Sequence, residues 1–417
     1  MSKHRHKKNQ TEVKRARREA ERLLRSRHFF NKFLRAIKKA GLVGEELNAL
    51  VLLIVAVSRI LSRPLNAFIK GHSSGGKNWL VTRVLRLLPN SAVAEITSAS
   101  DKAWNYSGTD FRHRVVYVQE QNEAAGTIDP IRLFISEGKV TRIVAGFEKG
   151  RRVTKKYVAR GPVAAISTTT KNLLKIDDET RHISLWVDES PEQTRKIVKM
   201  YTQQQDALSR NDLRVWRTVQ LLLEKKTGTK VVFPKWFSEV EDQLFVKDLR
   251  VRRYYPAFVE ACRTVCLIRS FLPHRKSSKH GQLQVEFADF AITASIFDSV
   301  FVESLHLGKG AGEATRRLVD QIAAEKGRPV RAKDLARKLH ISMDQAYSKL
   351  RYAANVGAIQ RANKSERTNR KLFLPVSRPH FVPDPKELFR KLKDLKHTIR
   401  FVHPLTGKSV VYRREHD

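Results

Sequence analysis

Residues 71–78 (GHSSGGKN) constrain this chain more than any other segment. Gly71, Gly75 and Gly76 fall between a short apolar run, Ala67-Phe68-Ile69, and a stretch with helical apolar spacing from Trp79 to Leu88. A strand that turns through glycines into a helix packs that helix back on a sheet, and the chain then lays its next strand parallel to the first. Further apolar runs at residues 92–96, 114–118, 163–167 and 183–187, with helical stretches between them, supply those strands. The pattern predicts an α/β domain on a largely parallel sheet.

Charge narrows the partners. The 417-residue chain carries a formal net charge of +39, with a hydrophobic fraction of 41% that is enough to build cores. More than half of the excess lies between residues 41 and 375, so it belongs to the folded body as well as the ends. Self-repulsion on this scale calls for a polyanion, with DNA or RNA the natural partner and an anionic membrane surface the competing one. Residues 1–27 stay polar and show no apolar core of a signal peptide. Residues 50–57 (LVLLIVAV) fall short of the roughly 20 residues a spanning helix needs, and predict a buried helix. The expectation is a cytoplasmic, nucleoid-associated protein without membrane contact. Cys262 and Cys266 share a helical face with no second ligand pair at metal spacing, and read as core residues.

Along the chain, residues 1–28 form a basic arm, either helical from about Thr11 or unstructured until nucleic acid arrives. Residues 29–191 hold the α/β core with leading helices, and Gly138, Gly146 and Gly150 punctuate β-rich pieces in residues 133–160 that read as inserted hairpins. Residues 192–306 are helical in pattern. Residues 312–375 show helical stretches followed by a basic two-stranded ribbon, the winged-helix pattern. Residues 376–417 read as a basic tail with little fold signal.

Chemistry concentrates near the glycines. In the loop formed by Gly71, Ser73, Ser74, Gly75 and Gly76, backbone N–H groups can turn inward on phosphate oxygens, with Lys77 reaching the β- and γ-phosphates of ATP. Asn78 stands where Ser or Thr commonly offers a hydroxyl to Mg²⁺; an amide oxygen can coordinate too. Val115 to Val118 end in Gln119-Glu120, where Glu120 is placed to orient an attacking water. Gln119 stands where Asp is usual, so Asn78, Gln119 and Glu120 are the metal candidates. Thr168 and Thr169 end another buried run and can bond a γ-phosphate. Arg181, just before residues 182–187, is a candidate arginine finger toward a neighbouring subunit's nucleotide. Lys149, Arg151, Arg152 and Lys155 form a basic hairpin tip, readable as a phosphate-tracking element or a solvated turn. Lys349 and Arg351 lie on the recognition-helix candidate, with Arg361, Lys364, Arg367 and Arg370 on the ribbon.

Taken in order, these motifs resemble a known family. Residues 58–65 (SRILSRPL) running into GHSSGGKN, residues 97–102 (TSASDK) ahead of 113–120, residues 135–139 (ISEGK), Gly161-Pro162 before Thr168-Thr169-Thr170, and Glu179-Thr180-Arg181 leading to Val187-Asp188-Glu189 carry the likeness. They resemble the ATPase portion of a bacterial and mobile-element family often fused to a zinc-finger primase domain, over about residues 45–275. That family is similar to AAA+ motors of the superfamily III and minichromosome-maintenance type. The resemblance implies Lys77 and Glu120 for hydrolysis, Thr168 or Thr169 for sensing, Arg181 in trans, a DNA-contacting tip at residues 149–152, and a hexameric or open ring. The chain shows no zinc-finger or primase domain, and the expectation is either separately encoded replication or mobile-element partners or a role other than priming. The expected function is an ATP-driven DNA helicase or translocase. Alternatives are an ATP-dependent assembly switch on DNA, and a DNA-binding regulator with a vestigial ATPase fold.

Overall fold

A computed structural model describes residues 2–96, 110–120, 128–148, 151–171, 176–202, 207–244, 249–275, 281–306, 318, 321–322, 325, 328–355, 359–362, 372–375 and 380–414. In chain order, the first part comprises α1 (Ser2–Leu24), α2 (Phe29–Lys39), α3 (Glu46–Ser58), β1 (Ala67–Lys70), α4 (Lys77–Leu85), β2 (Val93–Ile96), β3 (Arg114–Val118), α5 (Ile128–Glu137), β4 (Lys139–Glu148), β5 (Arg151–Arg160), β6 (Val163–Thr169), α6 (Ile176–Glu179) and β7 (Ile183–Trp186). Five of these strands form one sheet in the order β2-β3-β6-β1-β7, and every pairing in it is parallel. The sheet is therefore covered on both faces, and β1 and β6 are buried along their whole length. Helix α3 supplies much of that cover: residues 48–58 are all buried, as the apolar run predicts.

Between α5 and β6 the chain runs out and back as β4 and β5, an unbroken antiparallel ladder from Lys139↔Arg160 to Glu148↔Arg151. Residues 133–137, read as part of a hairpin, are instead the last turn and a half of α5. There Ile131 and Phe134 face Val116, Val118 and Val163, so burial against the sheet overrides the local β tendency.

The second part comprises α7 (Pro191–Thr202), α8 (Arg210–Glu224), β8 (Val231–Val232), α9 (Ser238–Asp242), α10 (Val251–Arg269), β9 (Leu283–Gln284), α11 (Phe287–His306), β10 (Val330–Arg331), α12 (Ala332–Lys338), α13 (Met343–Asn355), β11 (Ile359–Arg361), β12 (Leu372–Pro375), α14 (Pro385–Lys391), β13 (Thr398–Val402) and β14 (Ser409–Arg413). The region read as wholly helical contains one parallel pairing, β8 with β9. Helix α1 lies along α8, with Ala16, Ala20 and Leu24 buried and Glu12 paired to Arg214 at 2.6 Å. Buried Arg59 ties α3 to α8 by donating to Gln220 Oε1 at 3.0 Å. Cys262 and Cys266 are buried core residues of α10, and burial pushes both thiols up.

The tail expected at residues 376–417 is corrected for residues 380–414, which pack into the main core. Phe381 lies 4.9 Å from Phe301, and Phe389 lies 5.7 Å from Phe287, ring centre to ring centre. Asp298 of α11 accepts the backbone N–H groups of Phe381 and Val382 at 2.7 and 3.1 Å. The apolar residues of this segment come as short clusters such as Phe381-Val382, Leu388-Phe389 and Phe401-Val402 among many lysines and arginines, and Phe381 packs on rings of both α10 and α11. Leu318, Ile322, Val330, Leu335, Leu350 and Phe373 form a separate small core under the sheet β10-β12-β11.

Candidate functional site

The loop after β1 is shaped by backbone conformation. Ser74 and Gly76 have φ of 67° and 83°, the Gly75 N–H closes a turn on the His72 carbonyl at 3.2 Å, and α4 begins at Lys77, which sets the positive end of that helix beside the loop. Gly71 is required by close approach: at φ 154°, a Cβ there would lie 2.5 Å from Val187 Cγ2 and 2.8 Å from Glu189 Oε1. Lys77 is 6% exposed, and its Nζ donates to the carbonyl oxygens of Gly71 at 2.8 Å and His72 at 2.5 Å. Burial lowers its pKa, against the opposing pull of the Glu120 and Glu189 charges.

A carboxylate already sits over this loop. Glu189, three residues beyond the end of β7, accepts the backbone N–H of His72 at 2.5 Å and is bonded to His72 Nδ1 at 2.5 Å. Its oxygen lies 3.0 Å from where a Gly75 Cβ would be. Burial works to raise the Glu189 pKa, but the two bonds to His72 and the charge of Lys77 outweigh it and hold the carboxyl below its usual range.

On the other side of Lys77, a hydrogen-bond cluster joins three elements. Asn78 Oδ1 accepts from Thr168 Oγ1 at 2.9 Å and from Tyr117 Oη at 3.1 Å, and Thr168 Oγ1 in turn accepts the Glu120 N–H at 3.0 Å. Glu120 is exposed, and its φ of 49° aims it away from the run of β3, a strained conformation for a non-glycine residue. Gln119 donates from Nε2 to Glu95 at 2.6 Å. Buried Thr169 accepts the Lys171 N–H at 3.1 Å. Both lone pairs of the Asn78 oxygen are engaged, and the Gln119 amide is turned to Glu95, so Glu120 is the one charged donor of the three metal candidates.

Lys77, Asn78, Thr168 and Glu120 therefore meet at the carboxyl edge of the sheet. Arg181 does not join them. It sits before β7, at the other end of about 13 Å of strand, with Nε donating to Asp177 O at 3.1 Å and Nη1 to Ser136 Oγ at 2.5 Å. The turn carrying it is fixed by buried pairs: Lys70 with Glu179, and Arg132 with Asp178 at 2.7 Å. His182 stacks on Phe68 at 3.8 Å, and burial lowers its pKa to about 4.

Of the nucleic-acid candidates, Lys149, Lys364, Arg367 and Arg370 lie outside the described residues, as does residue 150 at the hairpin tip. Arg151 and Arg152 open β5 and Arg361 closes β11, placed here by backbone alone. Lys155 is exposed along β5, Arg351 is exposed on α13, and Lys349 beside it is half-buried. Ser73 is exposed at the crest of the phosphate loop. Sequence reasoning assigned no role to Glu189, His72, Tyr117 or Lys70. Glu189 follows a strand that neighbours β1 and so emerges at the same edge as the loop, a placement that only the strand order discloses.

No helix among the described residues is long and apolar enough to cross a membrane, and no cluster of His, Cys, Asp and Glu among them could hold a metal ion. No protein-family model matches the chain, and no curated protein matches it. Among solved structures it is similar to an active SCCmec type IV Cch helicase, at 12% identity and a TM-score of 0.34 over 79% of this chain and 67% of that one. It is also similar to the RuvB Holliday junction branch migration motor of Thermotoga maritima, at 11% identity and 0.24 over 85% and 96%. The C-terminal region of NrS-1 aligns at 12% identity and 0.24 over 57% and 66%. Likeness at this level leaves the chemistry to be read from the residues themselves.

Proposed function

We propose that this chain is an ATP-hydrolysing nucleic-acid motor of the AAA+ kind, acting as a DNA helicase or translocase. The observation that carries the reading is the meeting of Lys77, Asn78, Thr168 and Glu120 at one edge of a parallel sheet in which β6 lies between β1 and β3. That strand order sets the acid-bearing strand one place away from the loop-bearing strand, leaving room for a water between Glu120 and a γ-phosphate, as in the family the motifs resemble. In use, Lys77 would leave its two carbonyl partners for phosphate oxygens, and a phosphate oxygen would take the place of Glu189 at the His72 N–H. Glu120 would orient the water and receive its proton as the oxygen attacks phosphorus and the bond to the bridging oxygen breaks. Thr168, bonded both to Asn78 and to the Glu120 N–H, can relay the loss of the γ-phosphate to β6.

Arg181 faces away from its own loop, as a finger acting on a neighbouring copy must. A ring or open ring would bring it there and set the β4–β5 hairpins toward a central strand of DNA. The unit around α12, α13 and the β11–β12 pair is read as a winged helix, with Lys349 and Arg351 on α13 meeting DNA. Bound Mg²⁺ would neutralise developing phosphate charge. The donors present do not form a conventional shell for it.

Directional displacement of a labelled strand by the wild type, lost in Lys77→Ala and Glu120→Gln, is the expected result. A protein that neither binds nor hydrolyses ATP overturns the reading. The thin metal shell favours one rival, an ATP-dependent assembly switch on DNA, and DNA-stimulated hydrolysis without strand displacement identifies it.

A further inference from the structure

A large cavity lies at the end of the sheet opposite the glycine-rich loop. It holds about 840 Å³ beneath the starts of β1 and β7, within the roughly 300–1,000 Å³ of small-ligand sites. Its rim carries Arg63, Arg181, Lys235, Arg253 and Arg263, against the carboxylates of Glu241 and Glu260. Both acids are already engaged: Glu241 accepts from Tyr255 Oη at 3.0 Å, and Glu260 pairs with Arg263. The side chains of Lys235 and Arg253 are exposed and make no hydrogen bond or ion pair among the described residues. The cavity therefore offers uncommitted positive charge.

Its walls are not those of a simple anion site. Half-buried Phe233 and Tyr255 line it with Pro64 and Pro256. The rings are held in place, Phe233 by the Arg263 guanidinium 5.0 Å from its centre and Tyr255 by its bond to Glu241. A bare phosphate would satisfy the cations and leave these apolar walls wet. A ligand with a phosphate at one end and a flat aromatic at the other satisfies both.

We propose that this cavity binds a nucleotide unit, its phosphate on Arg63 and Arg253 and its base against Phe233 and Tyr255. The unit comes either from a single nucleic-acid strand or from a free nucleotide, and neither source depends on the phosphate loop. Binding of fluorescein-labelled oligothymidylate is measured by anisotropy for wild type, Arg253→Glu, Tyr255→Ala and Tyr255→Phe, each with its thermal midpoint. A fluorescent ATP analogue is titrated against the same substitutions in a Lys77→Ala background, where the loop no longer contributes. Arg253→Glu and Tyr255→Ala weaken the strand about tenfold, with Tyr255→Phe near wild type, if the strand is the source. The same ordering with the ATP analogue alone identifies a free nucleotide. Unchanged binding of both probes in variants that melt normally overturns the proposal. So does a loss that tracks a change in sedimentation, since the cavity would then be an interface between copies. Failure of ATP hydrolysis in the wild type leaves both titrations readable.

Discussion

Replacing Glu189 with Gln tests the most unexpected contact in the site. On the proposed function the carboxylate lies where an incoming phosphate would go; it is bonded to the His72 N–H at 2.5 Å and within the field of Lys77. A hydrogen bond to a charged group contributes about 1.5–3 kcal/mol. The side chain of Glu189 is 34% exposed and that of His72 is 80% exposed, so the ring contact is discounted as a screened surface pair and only the backbone bond is counted. Glutamine keeps a neutral acceptor worth about 1 kcal/mol, leaving a difference of about 1 kcal/mol, or about fivefold in affinity. Glu189→Gln is therefore expected to bind a non-hydrolysable ATP analogue about fivefold more tightly by calorimetric titration at low salt. The nucleotide-free variant should be slightly less stable than wild type. Because the folded carboxyl lies below its usual range, that stability is present above the usual carboxylate pKa and lost as pH falls through the lowered one, so the gap in melting midpoint should close in acid. Equal or weaker binding by a normally folded Glu189→Gln protein refutes the displacement argument.

Arg181→Ala should abolish hydrolysis while ATP affinity stays within about threefold, because the side chain is remote from its own loop; unchanged turnover removes the trans role. His182 is buried neutral, with its pKa depressed from 6.5 to about 4, so its contribution is present above pH 6.5 and lost as pH falls toward 4. The loss amounts to about 3 kcal/mol. His182→Gln should flatten that part of the stability profile in denaturant titrations at pH 7 and pH 4.5, and parallel profiles would contradict the assignment. Phe381→Ala should cost about 3–5 kcal/mol in chemical unfolding, since the ring is fully buried against Phe301 and Phe258; a cost under about 1 kcal/mol would return residues 380–414 to the status of a tail.

The parallel sheet was legible because its strands are short apolar runs of the right length, and the loop because glycines are clustered between such a run and a helix, two of them, Gly71 and Gly76, at positive φ. The buried helix at residues 46–58 was legible for the same local reason. Residues 133–137 misled, since Leu133, Phe134 and Ile135 favour a strand locally and only contact with Val116 and Val163 selects the helix. Residues 380–414 misled because their short apolar clusters lie among many charged residues, while rings they pack on, such as Phe287 and Phe301, lie far back in the chain.

By itself, the order of residues determined the glycine-rich turn between strand and helix, the α/β class and the excess positive charge, which are properties of single segments or of composition. Tertiary structure alone decided that Asn78 bonds Thr168 and Tyr117 rather than standing open to a metal, and that Gln119 turns to Glu95. It also placed Glu189 over the loop and Arg181 at the far end of the sheet. Each of these depends on which strand lies beside which. Strand order is set by packing across the whole sheet, and no local window of sequence contains it.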